Sequence, residues 1–246
     1  MRALRDISAA FSWLTVVPST SYDGARPARY FPLVGWAFGL GGLAIALGAS
    51  IVVTGSIGSL LVGLLVVFVW ALGSKLLHWD GMGDTVDGLW GGRDVESKLA
   101  IMHDSRMGSF GVVAISLTLL AQVIAVSAVY VSGDWWAIAA APVLGRLSAS
   151  IALWTMHPAR PDGLAAHLSE RESPMGWLIA LATAAVVFIA HQPEHIVLAG
   201  IGIAFGFLVP RILARPVRGI TGDIIGASVV IVETTVLIGA ALIAGV

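Results

Sequence analysis

Residues 57–77, IGSLLVGLLVVFVWALGSKLL, run directly into residues 78–88, HWDGMGDTVDG. The first stretch has one charge in twenty-one residues and is long enough to cross a bilayer, which takes about 20 residues of helix. The second places Asp80, Asp84 and Asp87 within eight residues, in a chain that is 57% hydrophobic and only 12% charged. The spacing i, i+4, i+7 puts the three carboxylates on one face of a helix, one above another. Like charges so placed repel, and a divalent cation with oxygen ligands removes that repulsion. The junction therefore predicts a membrane helix ending at a metal-dependent site.

The rest of the chain fits that beginning. Its mean hydropathy is +0.90 over 246 residues. Apolar runs at 32–53, 57–77, 110–131, 135–156, 175–191, 195–213 and 222–245 predict an all-α, polytopic transmembrane bundle of about seven spans. We expect a single integral membrane domain over 1–246. Residues 1–31 form a cytoplasmic or interfacial N-terminal segment, and 78–109 an acidic catalytic loop. Residues 7–17 are too short and mixed for a signal peptide and read as an interfacial or re-entrant helix closed by Pro18. The chain has no cysteine, which excludes disulfides, thiolate metal sites and a cysteine nucleophile. A net charge of −1 gives no footprint for nucleic acid.

Thirteen of the fourteen Lys and Arg residues fall on or near one side of the predicted bundle, and Arg146 alone lies inside a span. The positive-inside rule makes the charged side cytoplasmic, with the N-terminus inside and the C-terminus outside. Glycines within spans, among them Gly35, Gly39, Gly41, Gly42, Gly200, Gly202 and Gly206, let helices approach closely and also permit a homo-oligomer.

Four constellations carry candidate chemistry. In the first, Gly81, Gly83 and Gly88 flank the acids and would let a phosphate near the backbone; His78 is either a general base or a structural hydrogen-bonding group. The second is IMHDSRMGSFG, 101–111. Asp104 can add a fourth acid to the metal set, or pair with Arg106. Ser105, Arg106 and the N–H groups of Gly108 and Gly111 can bind phosphate. In the third, Asp223 opens the last span, either in the site or as a helix cap, and Glu233 lies inside that span, where acids are expensive and usually functional. The fourth is the turn 157–164, which is either a place where Arg160 can meet phosphate or a substrate carboxamide, or a plain loop. Arg146 is a phosphate ligand or a salt-bridge partner of Glu233; the former is expected.

Taken together these residues resemble the cobalamin synthase family, the adenosylcobinamide-GDP ribazoletransferases. The resemblance rests on FPLVG at 31–35, His78-x-Asp80-Gly-x-x-Asp84-x-x-Asp87-Gly88, Ile101-Met102-x-Asp104-Ser105-Arg106-x-Gly108-x-Phe110-Gly111, and Thr221-Gly222-Asp223-x-x-Gly226-Ala227. Trp79 and His103 depart from the aliphatic residue and the lysine usual there. The resemblance implies a Mg²⁺-dependent enzyme of the cytoplasmic (inner) membrane, with its active site facing the cytoplasm. Such an enzyme transfers the adenosylcobinamide-phosphate group from adenosylcobinamide-GDP to α-ribazole or its 5′-phosphate, releasing GMP, late in vitamin B12 biosynthesis. Asp80, Asp84, Asp87 and Asp104 would be catalytic and hold Mg²⁺, with Asp104 or Asp87 taking the proton of the attacking hydroxyl. Ser105, Arg106, Arg146, Arg160, Asp223 and His78 would bind substrate. The rival readings are a CDP-alcohol phosphotransferase of phospholipid synthesis, whose Asp-Gly-x-x-Ala-Arg start is missing here, and a divalent cation transporter, which would need acids at several depths.

Overall fold

The structure, a computed structural model, describes residues 2–18, 24–169, 172–189 and 192–245; Arg171 and His191 lie outside these. Eleven α-helices follow in order among the described residues. They are α1 (Arg2–Leu14), α2 (Phe31–Ala49), α3 (Gly55–Gly73), α4 (Leu77–Gly91), α5 (Val95–Met102), α6 (Ser109–Ser132), α7 (Trp136–Thr155), α8 (Leu164–Leu168), α9 (Pro174–Ala185), α10 (Pro193–Ala214) and α11 (Gly222–Ala244). The only extended pairing among them is a bridge between Pro158 and Ile220.

Helices α2, α3, α6, α7, α10 and α11, some with a flanking 3-10 turn, are long and apolar enough to cross a membrane. The expected span 175–191 falls on α9, which is only 12 residues long and continues as a 3-10 turn over Val186–Ile189. Among the described residues six helices therefore meet the length requirement where seven spans were expected. The region 78–109, expected as a loop, holds two helices, α4 and α5, and α1 begins five residues before the expected 7–17 segment.

At the centre stands α7, 89% buried over its apolar window, whereas the other five windows are half buried or less. It packs against α2, α10 and α11. Close approach is made by small residues: a Cβ on Gly35 would stand 2.6 Å from the Pro142 carbonyl oxygen of α7, and one on Gly202 2.9 Å from Leu144. Gly41 and Gly200 face open space instead, so only part of the glycine pattern is helix-packing surface.

Two buried charges cross this core. The Arg146 guanidinium of α7 donates to the Glu233 carboxylate of α11 and to the Pro142 carbonyl (3.2 Å), and lies 4.5 Å over the Phe38 ring. Arg146 is 2% exposed and Glu233 5%. A charge in so apolar a place requires a partner, and Arg146 finds Glu233 rather than phosphate. The expected phosphate role of Arg146 is corrected accordingly.

What places the acids is the break between α3 and α4. Lys75 and Leu76 both adopt left-handed backbone conformations, at φ +56° and +60°, which side chains other than glycine rarely take. The chain turns sharply there, and α4 leaves the line of α3 to pack against α11, α6 and α5.

Candidate active site

The acidic face of α4 descends into the protein: Asp80 is exposed, Asp84 half-buried and Asp87 buried. The three residues share a helix face, as their spacing predicts, yet they meet different neighbours.

Asp80 and Asp223 both line a cleft of ≈ 440 Å³ at one end of the bundle. Its wall also contains His103, Arg160, Asp162, Gly163 and Thr221. Gly81 makes this possible: a Cβ there would stand 2.8 Å from the Asp223 carbonyl oxygen and 2.9 Å from its Cα, so α4 and α11 touch backbone to backbone. Gly226, one turn along α11, lies less tightly against His78, where a Cβ would stand 3.3 Å from the His78 Cα. The Thr221 hydroxyl caps α11 by accepting from the Ile224 N–H at 3.2 Å, which leaves Asp223 free of the capping role. The wall opposite is the 157–163 turn, held by two hydrogen bonds across the bridge: Ala159 N–H to the Ile220 carbonyl (2.8 Å) and Ile220 N–H to the His157 carbonyl (2.9 Å). The Arg160 guanidinium donates to the Leu99 carbonyl of α5 and brings its charge within Coulomb range of Asp223.

Asp84 shows what this crowding does. Burial, then the charges of Asp80, Asp223 and Asp87 in that order, push its carboxyl up to about 7. A carboxyl that holds its proton near neutrality is a sign of negative charge without a counter-ion. Asp223 thus joins Asp80 and Asp84, although 139 residues separate it from Asp84 in sequence.

Asp87 does something else. Its carboxylate accepts the Gly108 N–H at 2.7 Å and the Gly111 N–H at 2.9 Å, the free donors at the start of α6. A carboxylate at a helix N-terminus satisfies these donors and complements the helix dipole. Any Cβ at Gly108 or Gly111 would collide with this carboxylate. The N–H groups expected to bind phosphate are thus occupied by the protein's own acid. Gly83 and Gly88, expected to admit phosphate, instead admit Ile115 of α6 and Met102 of α5.

Asp104 is taken up by its own neighbour. It accepts from the Arg106 side chain at 2.7 and 3.0 Å and from the Arg106 backbone N–H at 3.0 Å. These bonds hold its carboxyl down at about 2. Arg106 is largely solvent-exposed, and Ser105 is exposed beside it. The alternative surface pair is therefore the arrangement present. His78 is buried, and neither ring nitrogen has a hydrogen-bond partner. Burial, with the Arg146 charge second, pushes its imidazole well below the usual range, so it is neutral. It lines a small apolar cavity with Trp13, Phe31 and Leu153, next to the acidic cleft.

Of the predicted residues, then, Asp80, Asp84, Asp223 and Arg160 come together. Asp87 supports them from below, Asp104, Ser105 and Arg106 lie at the surface, and Arg146 is in the core. The cleft adds His103, Asp162 and Thr221, which sequence reasoning did not select as site residues. The turn composition at 157–164 pointed to the segment but not to Asp162.

As ligands for a metal, the residues offer only carboxylate oxygens. Among the described residues no three His, Asp or Glu groups converge closely enough to hold a cation alone. A hard cation such as Mg²⁺ does not require that: one or two carboxylates suffice when waters and substrate phosphates complete its shell. Asp80 and Asp223 on the cleft wall, with Asp84 within electrostatic reach of both, fit such a shared site.

Comparison with known proteins gives a consistent result. The cobalamin-5-phosphate synthase family matches residues 6–241. Proteins named adenosylcobinamide-GDP ribazoletransferase are similar along nearly the whole length. One from Rhizobium meliloti is 37% identical, and one from a Sinorhizobium species 35%, each alignment covering 94% of both chains. A third, from Syntrophobacter fumaroxidans, is 35% identical over 94% of this chain and 96% of its own. No solved structure matches. With family motifs lining one cleft and similarity running from end to end, this chain belongs to the cobalamin-5-phosphate synthase family.

Proposed function

We propose that this protein transfers the adenosylcobinamide-phosphate group of adenosylcobinamide-GDP to α-ribazole 5′-phosphate or α-ribazole, releasing GMP, as the relatives' names imply. The observation that carries the reading is the meeting of Asp80 and Asp223 in one cleft beside Arg160, with Asp84 coupled to both by charge. In the reaction an acceptor hydroxyl oxygen bonds to the cobinamide-side phosphorus, the bridging P–O bond breaks, and GMP leaves with the electron pair. Such chemistry is mostly positioning and charge neutralisation.

Asp80, Asp84 and Asp223 would hold Mg²⁺. When bound, it supplies positive charge to the diphosphate and to the leaving phosphate. Arg160 adds a fixed positive charge on the opposite wall, its guanidinium steadied by the Leu99 carbonyl. The hydroxyl proton goes to a carboxylate of the cleft. Asp104, paired with Arg106 and held at about 2, is a poor acceptor, and both Asp87 oxygens already accept backbone N–H groups. This replaces the expected assignment of the base to Asp104 or Asp87. The cleft faces the cytoplasm in this reading, because the basic residues gather at the same end.

The test is product analysis. Purified protein with Mg²⁺, adenosylcobinamide-GDP and α-ribazole 5′-phosphate should form adenosylcobalamin 5′-phosphate, identified by mass, in step with GMP. If it instead consumed CDP-diacylglycerol, or neither donor, the reading would be wrong.

A further inference from the structure

On the other side of the Pro158–Ile220 bridge lies a second cleft, of ≈ 330 Å³ and open to solvent. It is lined by Arg211, Arg215, Arg218 and His157, with Thr155 and Gly219. Among the described residues no carboxylate lines it. Among the described residues none of the three arginines is in an ion pair, in a chain whose net charge is −1.

The Arg211 side chain and the backbone that carries Arg215 and Arg218 are held in place. The Arg211 guanidinium donates to the Phe207 carbonyl and to the Thr155 hydroxyl, both at 2.7 Å, and stacks 3.4 Å from the Phe207 ring. Arg215 and Arg218 sit on the 3-10 turn Arg215–Val217 and its cap. Arg218 takes a left-handed conformation at φ +61°. Gly219 fixes this turn on the 157–160 segment, since a Cβ there would stand 2.7 Å from Ala159 Cα. One anchored guanidinium and two more carried on a fixed backbone turn, around a concave opening, match the charge of a phosphate.

We propose that Arg211, Arg215 and Arg218 form a phosphate-binding site separate from the acidic cleft, taking a phosphate monoester or the phosphate of an anionic lipid headgroup. The chemistry is the same for both sources. The site lies where a spanning helix ends, so a headgroup can reach it. It also lies one β-bridge from the acidic cleft, so a soluble substrate phosphate can reach it.

The experiment uses the full chain with EDTA present, which silences metal-dependent binding in the acidic cleft. Inorganic phosphate and ribose 5-phosphate are titrated into detergent-solubilised protein by calorimetry. In parallel, phosphatidylglycerol retention is compared with phosphatidylcholine retention by native mass spectrometry after extraction from mixed nanodiscs. The variant is Arg215→Gln/Arg218→Gln, which keeps the packing contacts of Arg211. Tenfold or greater weakening of phosphate binding in the variant supports the site and a soluble source. Selective loss of phosphatidylglycerol supports the site and a lipid source. Changes under twofold in both arms overturn it, as does wild-type protein that binds neither probe. Should the variant not fold, phenylglyoxal labelling of wild-type protein decides: protection of Arg211, Arg215 and Arg218 by phosphate or phosphatidylglycerol supports the site, and equal labelling with and without them overturns it.

Discussion

Replacing Asp87 by asparagine separates two jobs that the spacing of the acids makes look like one. Asp87 accepts two backbone N–H groups at the start of α6, at 2.7 and 2.9 Å. Asparagine keeps one acceptor oxygen, so one charge-assisted bond becomes neutral and one buried N–H loses its partner. Weakening the first and orphaning the second together cost about 3 kcal/mol. For a chain of this size that lowers the unfolding temperature by about 6–12 °C. Asp84→Asn has the opposite sign. The folded state raises the Asp84 carboxyl from 3.8 to about 7. The folded chain therefore binds the extra proton, and the ionised group lowers stability as pH rises through that window. At pH 8 the asparagine removes this repulsion. Since Asp84 is half-buried, solvent screening limits the gain to about 1 kcal/mol or less. Tryptophan fluorescence during thermal unfolding at pH 8 in detergent, without added metal, reads both variants. Both should lose GMP release, but only Asp87→Asn should melt early. If Asp87→Asn melted with the wild type while Asp84→Asn melted early, the division into a supporting acid and cleft acids would be wrong.

Other consequences are open to measurement. Glu233→Gln strips the buried Arg146 of its counter-charge and should cost about 3–5 kcal/mol, while Arg146→Met/Glu233→Gln should recover most of it in the same unfolding assay. Gly81→Ala puts a methyl 2.8 Å from the Asp223 carbonyl oxygen. It should cost about 1–3 kcal/mol and depress GMP release by parting Asp80 from Asp223; the roomier Gly226→Ala should be milder on both counts. Mn²⁺ binding, followed by electron paramagnetic resonance, must displace the Asp84 proton and should tighten about tenfold from pH 6 to pH 8. An equally steep rise in Asp84→Asn would assign the proton elsewhere.

The spans were legible in the sequence because lipid-facing helices need long apolar runs, and α2, α3, α6, α7, α10 and α11 have them. The α3–α4 break was less so: Lys75 and Leu76 carry no turn signature, and their left-handed conformations come from the packing of α4 on α11 and α6 rather than from local preference. Position along the chain placed Asp80, Asp84 and Asp87 on one face. It could not say that α6 would set its N-terminus against Asp87 while α11 brought Asp223 to Asp80, because both contacts depend on how the helices are arranged. Gly81, Gly108 and Gly111 were visible as glycines beside acids, and their use is close backbone approach rather than access for phosphate. The Arg146–Glu233 pair was one of two readings of an arginine at membrane depth. Only the 87-residue separation bridged by α7–α11 packing decided between them.

The most direct test of the acidic cleft is GMP release from adenosylcobinamide-GDP and α-ribazole 5′-phosphate, with and without Mg²⁺, by wild-type protein and by Asp223→Asn. The account predicts release that requires the metal and falls at least a hundredfold in the variant, since Asp223 is placed as a cleft acid equal to Asp80. Near-normal, metal-dependent release by a folded Asp223→Asn variant would contradict it and return the site to the acids of 78–109 alone.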